Sequence, residues 1–432
     1  MRDRKIRTVL SCLTIVVLVA CGGEDEPQQP DSSEVVCETH ELRPSRYGLY
    51  EIVDGLTELT QDVEDPSAFE IYVIPNHWSP FWEAPRTGFE AAQAELGFSG
   101  EFKAACNKGD ETCVEDQIEL FQDLTDGDPS NGESDAIAVS CKDGEAMAPV
   151  ITEAAEDVPI ITFDSDVDNP MESGRLLYLG AMNEPAGREA GRTVFDLVQT
   201  GTVHLYAESF STLNNLKRGM GAFEFCLDTR FSDASDFATS EYCAELDTQY
   251  VCEAECVGVA TGMRLVAHAY GDEFAADAEW QSDHEEATAE DYLADQVAEL
   301  LAGDDPPSGI LTLQGTTSST VAALVADGQG ANSVRFVAWD LSDEIQAGLE
   351  NGSVDATIAQ NSYFYGYVAA YIAYALAAKD AESVLGVLDD YFEFGAEDRL
   401  LNTGISVVTP ENLESYREYQ VECLGLPAGS TG

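Results

Sequence analysis

Between Arg335 and Gln360 the chain reads RFVAWDLSDEIQAGLENGSVDATIAQ. Two apolar runs, at 336–339 and 356–359, each end on a side chain that can hydrogen-bond, Asp340 and Gln360. Between them Ile345 and Leu349 share a helical face, and Asn351-Gly352 forms a turn. Short apolar runs without alternation describe strands covered on both faces, as in parallel sheets flanked by helices. In open sheets of this kind ligands bind beyond the carboxyl ends of the strands. The stretch thus restricts the fold to α/β and points to where a site should lie.

The same pattern recurs along the chain. Strands are expected at 71–74, 102–105, 135–139, 159–163, 176–179, 202–206, 265–267, 309–313 and 405–408. Helices are expected at 88–96, 114–124, 146–155, from about Pro185, and at 216–225, 292–301, 319–326 and 365–378. Gly97 is the expected stop of the first of these. Alternation of strand and helix predicts a parallel, doubly wound sheet in each of two halves. A chain of 432 residues is long enough for two such lobes.

Residues 1–20 carry Arg2, Arg4, Lys5 and Arg7 ahead of an apolar run from Val9 to Ala20. A basic start and a short apolar run predict an export signal, too short for an ordinary membrane span. Leu18-Val19-Ala20-Cys21 resembles the bacterial lipobox, which implies cleavage before Cys21, lipidation of Cys21 and anchoring to a bacterial membrane in the periplasm or at the cell surface. Residues 22–35 are acidic and contain prolines, so residues 21–65 are expected to be a tether and lead-in.

With 81 acidic against 21 basic residues, the formal charge is −60 at pH 7. Nucleic acid would be repelled by such a chain. Of 11 cysteines, Cys12 leaves with the signal and Cys21 is taken by the lipid, which leaves nine. Export makes disulfides the expectation. Cys106 and Cys113 can close one loop, and Cys226, Cys243, Cys252 and Cys256 can supply two further bridges in a cysteine-rich insertion at 226–256. An odd number leaves at least one thiol free or paired between chains. No metal or cofactor is implied.

The carboxyl ends of the expected strands present Ser79, Phe81 and Trp82, then Asp164, Gln314, Asp340 and Gln360, with Arg218 on a helix of the second half. Planar Asp, Gln and Arg groups meet the paired donor and acceptor character of sugar hydroxyls. The apolar C–H faces of a sugar lie flat on aromatic rings.

In order and spacing, six stretches resemble the periplasmic sugar-binding proteins of the ribose/galactose type (type I). They are Ser79-Pro80-Phe81-Trp82 with Gly88 and Gly97; residues 135–139; residues 158–164, ending on Asp164; Gly180, Asn183, Gly187 and Gly191; Arg218-Gly219; and Val337 to Asp340 with residues 355–360. The resemblance implies two Rossmann-like lobes joined by a three-crossover hinge. The N-terminal lobe would comprise 66–181 plus 361–400, and the C-terminal lobe 182–360 plus 401–425. It implies that Phe81 and Trp82 sandwich a sugar, that Asp164 and Arg218 bind its hydroxyls, and that Gln314, Asp340 and Gln360 complete the site. Tyr270, Phe274 or Trp280 would supply a second aromatic wall. Such a chain would be a monomer that binds a monosaccharide or similar small ligand by hinge closure and delivers it to an ABC permease. The alternative is a sensor that presents its closed form, with a sugar or furanosyl signal bound, to a receptor kinase or chemoreceptor.

Other classes fit poorly. There is no G-x-S-x-G elbow or H-E-x-x-H pair for an enzyme, and no basic helix-turn-helix precedes Ile71 for a repressor. Asp164, Asp166 and Asp168 begin like a calcium loop, but Asn169 and Arg175 occupy its glycine and closing glutamate positions.

Overall fold

A computed structural model describes residue 37 and residues 47–427, apart from 111, 127–133, 211, 244–250, 258–261, 285–286, 327–333 and 394–397. The expected signal, Cys21 and the acidic tether lie outside the described residues. Among those described, no helix is long and apolar enough to cross a membrane.

Two seven-stranded sheets form the two lobes. The first contains β1 (Glu70–Ile74), β2 (Ser99–Phe102), β3 (Ala136–Val139), β4 (Ile160–Phe163) and β5 (Tyr178–Gly180). The second contains β6 (Gly201–Ala207), β7 (Val251–Glu255), β8 (Met263–Ala269), β9 (Gly309–Thr312), β10 (Arg335–Trp339) and β11 (Ala356–Gln360). The short β12 (Phe392–Glu393) and β13 (Leu400–Asn402) then complete the first sheet, and β14 (Ile405–Val408) completes the second. Their orders are β12-β13-β5-β4-β3-β1-β2 and β14-β11-β10-β9-β6-β8-β7. Central pairs such as β1/β3 and β9/β10 are parallel, whereas β12, β14 and β7 join antiparallel at the edges. β3, β4, β9 and β11 are buried throughout, which explains their unbroken apolar runs.

Several expectations shift. The first helix of the alternation, Glu83–Leu96, begins five residues before the expected Gly88, because Pro85 falls in its first turn, where no N–H partner is needed. Gly97 ends it at φ 81°. The lead-in is not all tether: α1 (Leu49–Thr60) buries Leu49, Ile52, Val53 and Leu56 in the first lobe's core. The strand expected at 102–105 lies earlier, at β2. The third crossing follows Asn402, two residues past the lobe boundary expected after residue 400, since Leu400–Asn402 pairs with β5.

Each lobe is built on a close crossing of two helices at glycines. In the first lobe α2 (Glu83–Leu96) crosses the almost wholly apolar helix Tyr363–Ala378. A Cβ at Gly366 would stand 1.7 Å from the Pro85 carbonyl oxygen. In the second lobe α3 (Asn183–Leu197) crosses α4 (Leu213–Leu227), and a Cβ at Gly187 would stand 1.9 Å from the Arg218 oxygen. Backbones can approach this closely only without side chains between them.

The disulfides are Cys37–Cys423, Cys106–Cys113, Cys226–Cys256 and Cys243–Cys252, and Cys141 is free and buried. The cysteine-rich insertion supplies β7, with Cys252 and Ala254 buried against β8 and Glu253 and Glu255 facing solvent.

Candidate functional site

The polar residues of the site stand at or just past the carboxyl ends of strands or in the first two turns of helices. In the first lobe β4 ends on Asp164, whose backbone N–H donates to Leu179 O at 3.0 Å. Its φ is 56°, the left-handed region that costs an ordinary side chain energy and that Asp tolerates. Ser140 Oγ, beyond β3, and Ser165 Oγ each donate to Asp164 Oδ2 at 3.2 Å. Asp164 is 9% exposed, and burial holds its carboxyl above the ordinary range against the opposing pull of Arg218.

In the second lobe β10 ends on Asp340, at φ 62° with its N–H on Ile358 O at 2.9 Å. Gln360, closing β11, donates from Nε2 to Asp340 Oδ1 at 3.0 Å. Burial raises the Asp340 pKa to about 6, and Arg218 and Gln360 pull the other way.

Arg218 reaches Gln360 and, through it, Asp340. Its Nε donates to Asn183 Oδ1 at 2.8 Å, Nη1 to Leu313 O at 2.8 Å, and Nη2 to Gln360 Oε1 at 3.2 Å. Its guanidinium carbon lies 4.3 Å from the Trp339 ring centroid. The Gly187 crossing puts Asn183, on α3, within reach of Arg218, on α4. Tyr365 OH also donates to Gln360 Oε1, at 3.0 Å, from the helix that follows the second crossing. Gln314 is near but separate: it accepts from Asn215 at 2.7 Å and donates to Glu208 Oε2 at 3.0 Å.

The cleft between the lobes is closed. Asn214 of the second lobe donates to Asp164 O and Ser165 Oγ of the first, each at 3.3 Å. Lys108 Nζ of the first lobe donates to Thr316 Oγ1 of the second at 3.1 Å. Asn214 has no strand-end pattern to mark it, and Tyr365 is one tyrosine among several on an apolar helix, so neither stands out in the sequence.

The aromatic expectations divide. Phe81 is half-buried, 6.4 Å from Tyr365 between ring centroids, and so stands beside the Gln360 network. Trp82 does not face a ligand: it is 2% exposed and packs among Phe81, Phe102 and Phe163 in the core. Successive residues of the Pro80–Trp82 turn diverge, so only one of the two rings can look outward. Ser79 opens that turn, and its carbonyl accepts from Trp82 N at 3.0 Å. The second-lobe candidates are engaged elsewhere. Tyr270 is buried with its OH against Thr317 at 3.1 Å, and Phe274 and Trp280 pack on one another and on Tyr292. Asp166, the middle acid of the calcium-like run, is held bidentately by Arg175 at 2.9 and 2.8 Å.

The model of the periplasmic binding protein domain matches residues 71–381. The chain belongs to this family. Its two-lobed fold agrees with solved structures of similar proteins. An ABC transporter solute-binding protein from Burkholderia graminis, in complex with D-arabinose, is 18% identical over 82% of this chain and 99% of that one, with a TM-score of 0.55. An arabinose-binding protein from Geobacillus stearothermophilus is 19% identical over 80% and 98%, also at 0.55. A periplasmic solute-binding protein from Actinobacillus succinogenes, with bound D-allose, is 16% identical over 81% and 100%, at 0.56. No curated protein matches the sequence. The family's members are extracytoplasmic solute-binding proteins rather than enzymes.

Proposed function

We propose that this binding protein captures a monosaccharide or similar small polyhydroxyl ligand outside the cytoplasm by hinge closure and delivers it to an ABC sugar importer. The observation that carries this reading is the Arg218–Gln360–Asp340 chain of one lobe, in which Arg218 donates to Gln360 and Gln360 to Asp340, with Asp164 of the other lobe close enough to feel the guanidinium charge. Carboxylates and a guanidinium converging from two lobes suit a ligand that is donor and acceptor on every side. Ser79, Phe81, Asp164, Arg218, Gln314, Asp340 and Gln360 are the proposed contacts, Phe81 supplying the apolar face. A ligand that touches both lobes favours the closed state, and closure reports occupancy to the permease. The lipobox adds an anchor through Cys21, and the protein acts as a monomer.

The bound sugars of the structural neighbours, D-arabinose and D-allose, set the first ligands to test. In a thermal-shift panel of pentoses, hexoses and polyols, a ligand at 100 times its Kd should stabilise the protein by about 2.7 kcal/mol. If no polyhydroxyl compound raises the melting temperature while amino acids or peptides do, the ligand class is wrong.

A further inference from the structure

The end of the chain crosses between the lobes once more. β14 lies in the second sheet, and after it the helix Leu413–Glu418 buries Leu413 and Tyr416 in the second lobe's core. Arg417 fastens that helix from outside, donating to Gln346 Oε1 at 2.8 Å and pairing with Glu350 at 2.5 Å. Only a π-helical turn, Tyr419–Cys423, follows. Beyond it Leu426 is buried in the first lobe's core, with Leu424 packed against the same cluster. Tyr419 OH lies 3.3 Å from Tyr50 OH on α1, and Cys423 is disulfide-bonded to Cys37, upstream of α1.

The turn has no slack. Leu424 N bonds back to Tyr419 O at 3.3 Å and Leu426 N to Gln420 O at 3.0 Å. Between this segment and the second crossing lies a small cavity lined by Gln360, Ser362, Phe364, Tyr416 and Gln420. The buried Ser362 Oγ finds no hydrogen-bond partner.

We propose that residues 409–426 are a disulfide-fastened strap that joins the lobes a fourth time beside the hinge and holds the cleft toward its closed arrangement. Both anchors are seated while Asn214 bridges to Ser165. Swinging the lobes apart must therefore unwind the turn or unseat Leu426 or Tyr416. A connection seated in the closed state and strained on opening shifts the population toward closure before any ligand arrives.

The inference rests on the two-lobed fold and on closure as the binding motion, but its test needs no ligand. Small-angle scattering of the ligand-free protein should give a larger radius of gyration for the Cys37→Ser/Cys423→Ser double variant than for the native chain. Arg417→Ala, which keeps the disulfide, should give an intermediate value. Superimposable curves for all three proteins overturn the strap. If the double variant does not fold, Arg417→Ala decides: an unchanged curve overturns the proposal and an enlarged one supports it. A chain that binds no sugar in the panel above would leave this readout intact.

Discussion

Asp164 and Asp340 are counterparts. Each follows the last residue of a central strand, each gives its N–H to the neighbouring strand, and each takes a left-handed φ, 56° and 62°. The two lobes therefore aim a carboxylate at the cleft by one backbone device. Strained conformations of this kind persist where the surrounding structure over-determines them, and they concentrate at functional sites.

Asn tolerates the left-handed region as Asp does, so Asp164→Asn isolates the charge. Burial raises the carboxyl's pKa in spite of Arg218, which means that the ionised form is disfavoured in the fold. The variant should melt higher than the native chain at neutral pH. It should also bind its sugar about 10- to 100-fold more weakly, the loss of a charge-assisted hydrogen bond of about 1.5–3 kcal/mol. Calorimetry and thermal melts on the same samples check both signs. Unchanged affinity removes Asp164 from the site.

Asp340 predicts a pH dependence. Its folded pKa of about 6 exceeds the unfolded value, so its favourable contribution is complete below about pH 4 and is lost as pH rises through about 6. The melting temperature of ligand-free Asp340→Asn, minus that of the native chain, should grow across this window and then level off. Sugar hydroxyls donate to the ionised form, so native affinity should fall as pH drops below about 6. A flat difference curve would sink the assignment.

Gly187→Ala tests the helix crossing that carries Arg218. A methyl 1.9 Å from the Arg218 carbonyl oxygen must push α3 from α4. Overpacking of this order costs about 1–3 kcal/mol. It should also stretch the 2.8 Å bond from Arg218 to Asn183, so affinity should fall with stability. Chemical denaturation and calorimetry measure the two losses separately.

Cys141 is 3% exposed, and burial pushes its thiol pKa well up. In a soluble form beginning at residue 36, a thiol reagent should find no reactive group in the native protein and one per chain in denaturant. Reaction of more than one thiol in denaturant without reductant would contradict the four disulfides.

Much of the site was legible because a parallel strand is short, apolar and ends abruptly. Asp164, Asp340 and Gln360 stand at such ends, and their contrast with the preceding run marks them. Side-chain direction was not legible. Phe81 and Trp82 are adjacent and chemically alike, and only the packing of Phe102 and Phe163 decides which turns inward. Leu49, Ile52, Val53 and Leu56 do carry a helical period, but the acidic stretch before them suggested a tether. The strand Leu400–Asn402 is too short for any period to register, so the lobe boundary could be placed only to within two residues.

The edge strand β7 has a consequence for how these molecules meet one another. An unprotected sheet edge invites another chain to pair with it and extend the sheet into aggregates. At one end of the second sheet the outermost strand is β7, whose solvent face carries Glu253 and Glu255. A second copy laid against it would bring carboxylates opposite carboxylates, which opposes the pairing. The insertion thus terminates one edge of the second sheet with carboxylates, one of them held by Arg264 on β8, so that crowded copies brought together along that edge meet like charge.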